Sequence, residues 1–248
     1  MNSIRPHCQA RRLFQRCLLA GLVGLFAGAP PVMARDAGAP YVTAATINLS
    51  AILPAPPPSG SPEAKADMDA VLALQAGRTS ESVAQSRLDR KQSVFRFADV
   101  LGPDFRKRRL PHTAAFFKQI TRDEEAILAT VKDRWQRARP FAANPAVTTC
   151  VKRPESGSYP SSHAALGYLY GLILADLVPD DREALMARAE AYAGSRALCG
   201  VHYPSDINAG KRAAEAIFDA LKASPRYQAA LATVRDEIQS TLKQKSAR

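Results

Sequence analysis

Residues 160–177, PSSHAALGYLYGLILADL, decide the fold because they carry a long apolar segment with its own start and stop signals. Ser161 or Ser162 is a suitable N-cap, and Pro179 follows shortly after the last apolar residue. Residues 166–177 are apolar nearly all round, which is typical of a helix that is buried on every side. We therefore predict a central core helix here.

Outward from this segment, start and stop signals predict helices over most of the chain. Period-two alternation and hairpin turn pairs, which would indicate strands, are scarce. We therefore predict an all-α fold, a single-domain helical bundle with short loops. The further helices are expected at residues 62–75 between Ser61 and Gly77, at about 82–100, after a capping box at Thr121 and Glu124, from Asp180 or Asp181 onward, from Asp206 after the cap Ser205, and from Pro225 onward.

The first 34 residues resemble a secretory signal. Four arginines precede an apolar stretch at residues 17–29, and the segment ends in Val32-Met33-Ala34. We predict cleavage after Ala34 and export to the periplasm, while the pair Arg11-Arg12 leaves the twin-arginine route open beside the general one. An uncleaved anchor is disfavoured because the apolar run is too short to span a bilayer. We expect no membrane insertion of the mature chain.

The remaining length suits one folded domain. With 248 residues in all, we expect a Pro-rich N-terminal segment at 35–60 and a single domain at 61–248. The formal net charge falls from +11 to +7 when the four arginines of the signal leave. Such a surplus could attract nucleic acid, but a phosphate-binding site explains part of it. We predict no nucleic-acid partner.

Three short clusters supply the groups that phosphoryl transfer needs. A transferring phosphoryl group spreads negative charge over its oxygens, so catalysis is mostly electrostatic stabilisation and positioning. Cations suit the oxygens, and an imidazole on each side of phosphorus can serve as nucleophile or proton donor. The clusters are Lys132 with Arg139 in KDRWQRARP, His163 in PSSH, and Arg196, His202 and Asp206 in SRALCGVHYPSD.

His202 is the better nucleophile of the two histidines. Asp206 follows it by four residues, and a carboxylate on one ring nitrogen fixes the tautomer and leaves the other nitrogen free to attack. His163 is then the general acid, and Arg196 is a third cation for the phosphate oxygens.

The other expected phosphate ligands come from two helix ends. Lys132 and Arg139 are seven residues apart, so on one helix ended by Pro140 they share a face, about 10 Å apart along the axis. The backbone amides of Ser161 and Ser162 are expected to form an anion-binding helix N-terminus.

Each cluster alone has an ordinary explanation. A Lys-x6-Arg pair is usually a solvated helix face, PSSH is usually a helix cap, and Arg-x5-His-x3-Asp is usually a surface salt-bridge cluster. Their joint occurrence in order favours a site, because two of the three histidines after residue 34 fall within it. His112, the third, is expected to be structural or exposed. We expect no metal and no cofactor, since no ligand set remains.

Cys150 and Cys199 remain once the signal has left with the other two cysteines. An even pair in an oxidising compartment predicts a disulfide, and two buried free thiols are the alternative. In the chain-entropy model, closing this loop would stabilise the protein by about 4 kcal/mol.

The three clusters resemble the motifs of the acid phosphatase superfamily that includes type 2 phosphatidic acid phosphatases and vanadium haloperoxidases. Those motifs are Lys-x6-Arg-Pro, Pro-Ser-Gly-His and Ser-Arg-x5-His-x3-Asp, and the similarity is greatest to the bacterial class A non-specific acid phosphatases, which are periplasmic. The resemblance implies that His202 forms a phosphohistidine, Asp206 orients it and His163 protonates the leaving group. It also implies that the phosphate is held by Lys132, Arg139, Ser161, Ser162 and Arg196.

One position departs from the family pattern. Ser162 stands where the family has glycine, and a positive φ there would cost roughly 1 kcal/mol or more. If the position does not need a positive φ, the amide stays available to the phosphate and the hydroxyl adds a donor. We expect this second case, and therefore activity.

We therefore expect a secreted acid phosphatase that hydrolyses many phosphomonoesters, with phosphotransfer to alcohols as a side activity. The resemblance also implies a homo-oligomer. The alternatives are a vanadate-dependent haloperoxidase, whose known members are generally much larger, and a phosphate-binding protein without catalysis. The second alternative has no need of His202, His163 and Asp206 together.

Overall fold

Helices provide all the regular structure in the computed structural model, which describes residues 38–246, with side chains as far as residue 242. Two short 3-10 helices cover Val94–Phe97 and Pro179–Asp181. The α-helices are α1 Leu49–Ile52, α2 Pro62–Ala76, α3 Ser80–Asp89, α4 Ala98–Leu101, α5 Pro111–Lys132, α6 Pro140–Ala143, α7 Ser162–Leu177, α8 Arg182–Leu198, α9 Pro204–Ala223 and α10 Pro225–Ser246. The predicted all-α class is confirmed. The predicted signal, residues 1–34, lies outside the described part of the chain.

The centre of the fold is α7, which packs along both α8 and α9. Two glycines four residues apart on α7 allow α8 to approach closely. A Cβ at Gly167 would lie 2.0 Å from the Tyr192 ring, and one at Gly171 would lie 2.3 Å from the Cβ of Ala189. The prediction of a central core helix is therefore correct, and its glycines set the distance to α8.

Residues ahead of α2 also belong to the core. Val42, Leu49 and Leu53 are buried in the same hydrophobic cluster as α7, and the Tyr159 hydroxyl donates to the Pro54 carbonyl at 2.5 Å. The packed unit thus begins before residue 61, where the sequence suggests the domain start. No described helix is long and apolar enough to cross a membrane.

Two predicted helices differ from those observed. The helix expected at about 82–100 is broken after Asp89, whose buried carboxylate pairs with Arg188 and Arg96 at 2.6 and 3.0 Å. Thr121 does not start a helix either. It lies inside α5, where its hydroxyl donates to the Phe117 carbonyl. Partners from distant parts of the chain thus override both local signals.

The N-terminus of α5 shows why the Thr121 prediction was wrong. The helix begins ten residues earlier at Pro111, and its first amides are capped by a side chain from α10. Glu237 accepts hydrogen bonds from the backbone amides of His112 and Thr113 at 3.0 and 2.7 Å. A carboxylate at this position also suits the positive end of the helix dipole.

The close approach of α7 and α8 predicts that Gly167→Ala is strongly destabilising. The added methyl group would overlap the Tyr192 ring, and overpacking of this kind costs about 1–3 kcal/mol. For a chain of this size, we expect the melting temperature to fall by about 2–4 °C for each kcal/mol.

Gly194→Ala on α8 is the matched control, because no atom lies within 4 Å of the added Cβ. Alanine is a better helix former than glycine, so this variant should be more stable than wild type by about 0.5–1 kcal/mol. Equal melting temperatures for the two variants would show that the α7–α8 contact does not depend on Gly167.

Candidate active site

Asp206 lies at the centre of the candidate site and is fully buried. It is the third residue of α9, not the first as predicted, and its carboxylate accepts a hydrogen bond from the Tyr203 amide at 2.9 Å. Arg137 donates to its Oδ1 at 2.6 Å, and the Ser158 hydroxyl donates to its Oδ2. Burial acts to raise the pKa of Asp206, but His202, Arg137 and Ser158 outweigh it and lower the pKa to about 2.

The loop from α8 to α9 carries His202 into the interior. Gly200 permits the turn because its φ is +68° and a Cβ there would lie 2.9 Å from the Thr148 carbonyl oxygen. The predicted disulfide between Cys150 and Cys199 is present and ties this loop to the segment before α7. His202 is buried as a result, with only 4% of its surface exposed.

The neighbours of His202 determine its tautomer. Arg139 Nη1 lies 3.0 Å from His202 Nε2, and a guanidinium can only donate, so Nε2 is the unprotonated nitrogen. The ring proton is then on Nδ1, which lies 3.4 Å from Asp206 Oδ2, longer than a normal hydrogen bond. Burial, Arg139 and Lys132 lower the pKa of His202 to about 4, although Asp206 acts to raise it.

Lys132 and Arg139 reach this site without sharing a helix. Because α5 ends at Lys132 and α6 begins only at Pro140, the prediction of one continuous helix face is wrong. Arg139 is instead held by carbonyl oxygens, including those of Ser156 and Val201 at 2.7 Å each. Burial and the charge of Arg139 lower the pKa of Lys132 to about 8.

The Lys132 ammonium group donates to the Pro160 carbonyl at 2.7 Å, one residue before the N-cap of α7. Ser161 is that N-cap, and its amide donates to the Asp206 carbonyl at 3.1 Å, so this amide is not available to a ligand. Ser162 and His163 are the first two residues of α7, and their amides have no acceptor within the helix. Ser162 is helical, so the strain considered for a positive φ does not arise.

His163 and Arg196 have buried polar atoms with no hydrogen-bond partner among the described residues. These atoms are Nε2 of His163, and Nε and Nη1 of Arg196. The His163 ring stacks on Tyr192 with centroids 4.8 Å apart. Burial, Arg196 and His202 hold the pKa of His163 well below its usual value. Burial and Arg139 lower the pKa of Arg196 to about 10.

The network around Asp206 includes three residues that were not predicted: Arg137, Asp67 and Ser158. Arg137 joins Asp206 to Asp67 of α2, with its Nη2 2.7 Å from the Asp67 carboxylate, and it lies 3.9 Å from the centre of the Tyr203 ring. Ser158 is the other unforeseen partner of Asp206. Nothing in KDRWQRARP separates Arg137 from the exposed Arg134, since only the fold decides which arginine is partly buried against Asp206.

The arrangement brings together buried cations, two imidazoles and a buried carboxylate, whereas His112 lies apart and exposed at the start of α5. Among the described residues, no group of three or more histidine, cysteine and acidic side chains is arranged to hold a metal ion. A set of this composition can attract an anion.

Comparisons with known proteins agree with this chemistry. The profile of the PAP2 superfamily matches residues 116–225. The chain is 31% identical over 205 residues to the non-specific acid phosphatase of Salmonella typhimurium, with 78% of this chain and 81% of the relative covered. It is 32% identical over 192 residues to the acid phosphatase of Zymomonas mobilis, with 74% and 73% covered.

A solved structure shows the same fold at much lower sequence identity. The transmembrane PAP2-type phosphatidylglycerolphosphate phosphatase of Bacillus subtilis superposes with a TM-score of 0.50 at 15% identity, covering 71% of this chain and 89% of that one. The acid phosphatase relatives and the PAP2 profile, not this distant structural match, show that the chain is a phosphatase of the PAP2 superfamily. Within that superfamily it belongs to the bacterial non-specific acid phosphatases of class A.

The contact between Arg137 and Asp206 predicts how the Asp206 carboxyl group titrates. Arg137 helps to hold the pKa of Asp206 low, so removing its charge in Arg137→Gln should raise that pKa. Asp206 would then be protonated at a higher pH than in the wild type. The measurement is the pKa of the Asp206 carboxyl from its carbon NMR shift, which should be higher in the variant.

Arg134→Gln is the control because it removes an equal charge from an exposed side chain nearby. Its Asp206 pKa should match that of the wild type. An unchanged Asp206 pKa in Arg137→Gln would contradict the role assigned to this ion pair.

Proposed function

We propose that this phosphatase hydrolyses a broad range of phosphomonoesters through a phosphohistidine formed on His202. One observation carries the proposal. Buried atoms of His163 and Arg196 lack hydrogen-bond partners among the described residues, in the same site where Arg139 contacts the unprotonated nitrogen of His202. Buried polar atoms are normally hydrogen-bonded, and a guanidinium can only donate, so the unpaired nitrogens of Arg196 need an acceptor-rich ligand. Once protonated, Nε2 of His163 would be a further donor. A phosphoryl group offers several oxygens and matches the positive charge.

In the first step, His202 Nε2 attacks phosphorus and the bond from phosphorus to the ester oxygen breaks. The electron pair of that bond goes to the leaving oxygen, which takes a proton from His163. Arg139, Lys132 and Arg196 neutralise the charge on the phosphoryl oxygens, and the free amides of α7 add two donors. A phosphate oxygen would replace His202 as the acceptor for Arg139.

In the second step, water attacks the phosphohistidine and gives a proton to His163. The bond from nitrogen to phosphorus breaks, His202 recovers its lone pair, and inorganic phosphate leaves. An alcohol that takes the place of water would receive the phosphoryl group instead, which is the proposed phosphotransferase activity.

The pKa shifts support a preference for acid pH. His202 has a pKa of about 4, so its nucleophilic nitrogen stays unprotonated in mildly acid solution, where most histidines carry a proton. His163 must carry a proton to act as an acid, and because burial, Arg196 and His202 hold its pKa well below the usual value, it gains that proton only in acid solution. A bound phosphate dianion favours protonation of His163 further, because it places negative charge beside the ring.

We propose periplasmic export through residues 1–34, and the Cys150–Cys199 disulfide supports an oxidising compartment. The homo-oligomer and the absence of a nucleic-acid partner stay predictions. Metal independence also stays a prediction.

The direct test of the mechanism is His202→Ala. Hydrolysis of p-nitrophenyl phosphate should fall by at least about a thousandfold, because the nucleophile is gone. Inorganic phosphate should still bind in calorimetry, since the cations remain. Rapid acid-free quenching of the wild type should yield a peptide that carries a phosphoryl group on His202.

His112→Ala is the matched control, because this exposed histidine lies outside the site. It should keep full activity. Unchanged turnover in His202→Ala, or a phosphoryl group on another residue, would refute the proposed intermediate.

A second prediction concerns the general acid. His163→Gln should slow phosphate esters of aliphatic alcohols far more than p-nitrophenyl phosphate, because nitrophenolate leaves with little help from a proton. The measurement is kcat for a series of leaving groups, which should depend more steeply on leaving-group pKa in the variant. Equal losses across the series would exclude His163 as the proton donor.

A further inference from the structure

A cavity lined by basic residues lies beside the candidate phosphate site. The proposed mechanism gives this cavity no role. This cavity, called the outer pocket here, has a volume of about 390 Å³. Arg196 belongs both to the outer pocket and to the cluster of phosphate-binding cations. The lining consists of Arg90, Lys152, Arg153, Pro154, Glu155 and Arg196.

The outer pocket has an excess of positive charge. Arg90, Lys152 and Arg153 are exposed there, and Glu155 is the sole acid in the lining. None of these three cations forms an ion pair within residues 38–242. Elsewhere on the surface, Lys211 pairs with Glu190 at 2.7 Å. The pocket is therefore a concentration of like charge that an anion would stabilise.

Arg196 connects the outer pocket to the catalytic groups. It is 6% exposed, and its Nε and Nη1 have no hydrogen-bond partner among the described residues. The charge of Arg90 lowers the pKa of Arg196, and the charge of Arg196 lowers the pKa of His163. Basic groups therefore extend from the imidazole to the outer pocket.

We propose that the outer pocket binds a second phosphoryl group of the substrate while the first is held against His202. The favoured substrates are then compounds with two phosphoryl groups a short distance apart, such as bisphosphates and nucleoside diphosphates. Arg90 and Lys152 bind the second group, and Arg196 lies between the two. This inference rests on the proposed function for the position of the first group.

The test uses phosphonates, which the enzyme cannot hydrolyse, so that binding is measured apart from turnover. Methylphosphonate probes the first site alone, and methylenebisphosphonate and 1,3-propylenebisphosphonate probe both sites at two spacings. Calorimetry on the wild type should show at least one bisphosphonate binding about tenfold more tightly than methylphosphonate. The advantage should shrink as ionic strength rises, because the pocket cations are exposed.

Substitutions in the outer pocket test whether this pocket causes the tighter binding of the bisphosphonate. Arg90→Gln and Lys152→Gln should each reduce the ratio of bisphosphonate to methylphosphonate affinity about threefold, and the double variant should abolish it. Lys118→Gln is the matched control, because it removes the same charge from an exposed residue that lines a different cavity. Its ratio should equal that of the wild type.

The outcomes separate the two proposals. If methylphosphonate binds but neither bisphosphonate has an advantage, the outer pocket is refuted and the first site stands. An advantage that survives in the double variant also refutes the outer pocket. If methylphosphonate does not bind at all, the first site is contradicted and the inference is overturned with it.

Discussion

The buried carboxylate of Asp206 is the interaction on which the rest of the site depends. An ionised carboxylate in the interior is costly unless it is paired and hydrogen-bonded. Arg137, Ser158 and the Tyr203 amide meet that requirement, and its pKa of about 2 means that it stays ionised in mildly acid solution. Its backbone carbonyl also accepts from the Ser161 amide, so one residue positions both α7 and the segment before it.

The side chains of Arg137 and Ser158 reach Asp206 from two other stretches of the chain. Arg137 extends the network to Asp67 on α2, and the Ser205 hydroxyl donates to the same Asp67 carboxylate. Helices that are far apart in sequence are therefore held together by charge at the base of the site. The glycines of α7 complete this arrangement, because their small size lets Tyr192 pack against α7 and stack on His163.

The cations of the site are held in an electrostatically unfavourable arrangement. Burial lowers the pKa values of Lys132, Arg139 and Arg196, and repulsion within the group lowers those of Lys132 and Arg196 further. Such a cluster contributes little to folding stability, and functional sites commonly retain this kind of unfavourable interaction. A dianionic ligand would make this arrangement of cations favourable, because its negative charge offsets the repulsion among them. The same physical reasoning applies to the outer pocket, where the cations are exposed and the expected effect is smaller.

The sequence by itself determined the all-α class and the helices whose start and stop signals are local. The helix between Ser61 and Gly77 and the core helix α7 are examples, because caps and apolar runs act over a few residues. The sequence also singled out His202, His163 and Arg139, which motif spacing identifies. Tertiary structure alone decided the start of α5, which Glu237 caps from α10, and the choice of Arg137 over Arg134 as partner of Asp206. Both depend on contacts between residues distant in sequence, and a local pattern carries no information about which distant partner will be within reach.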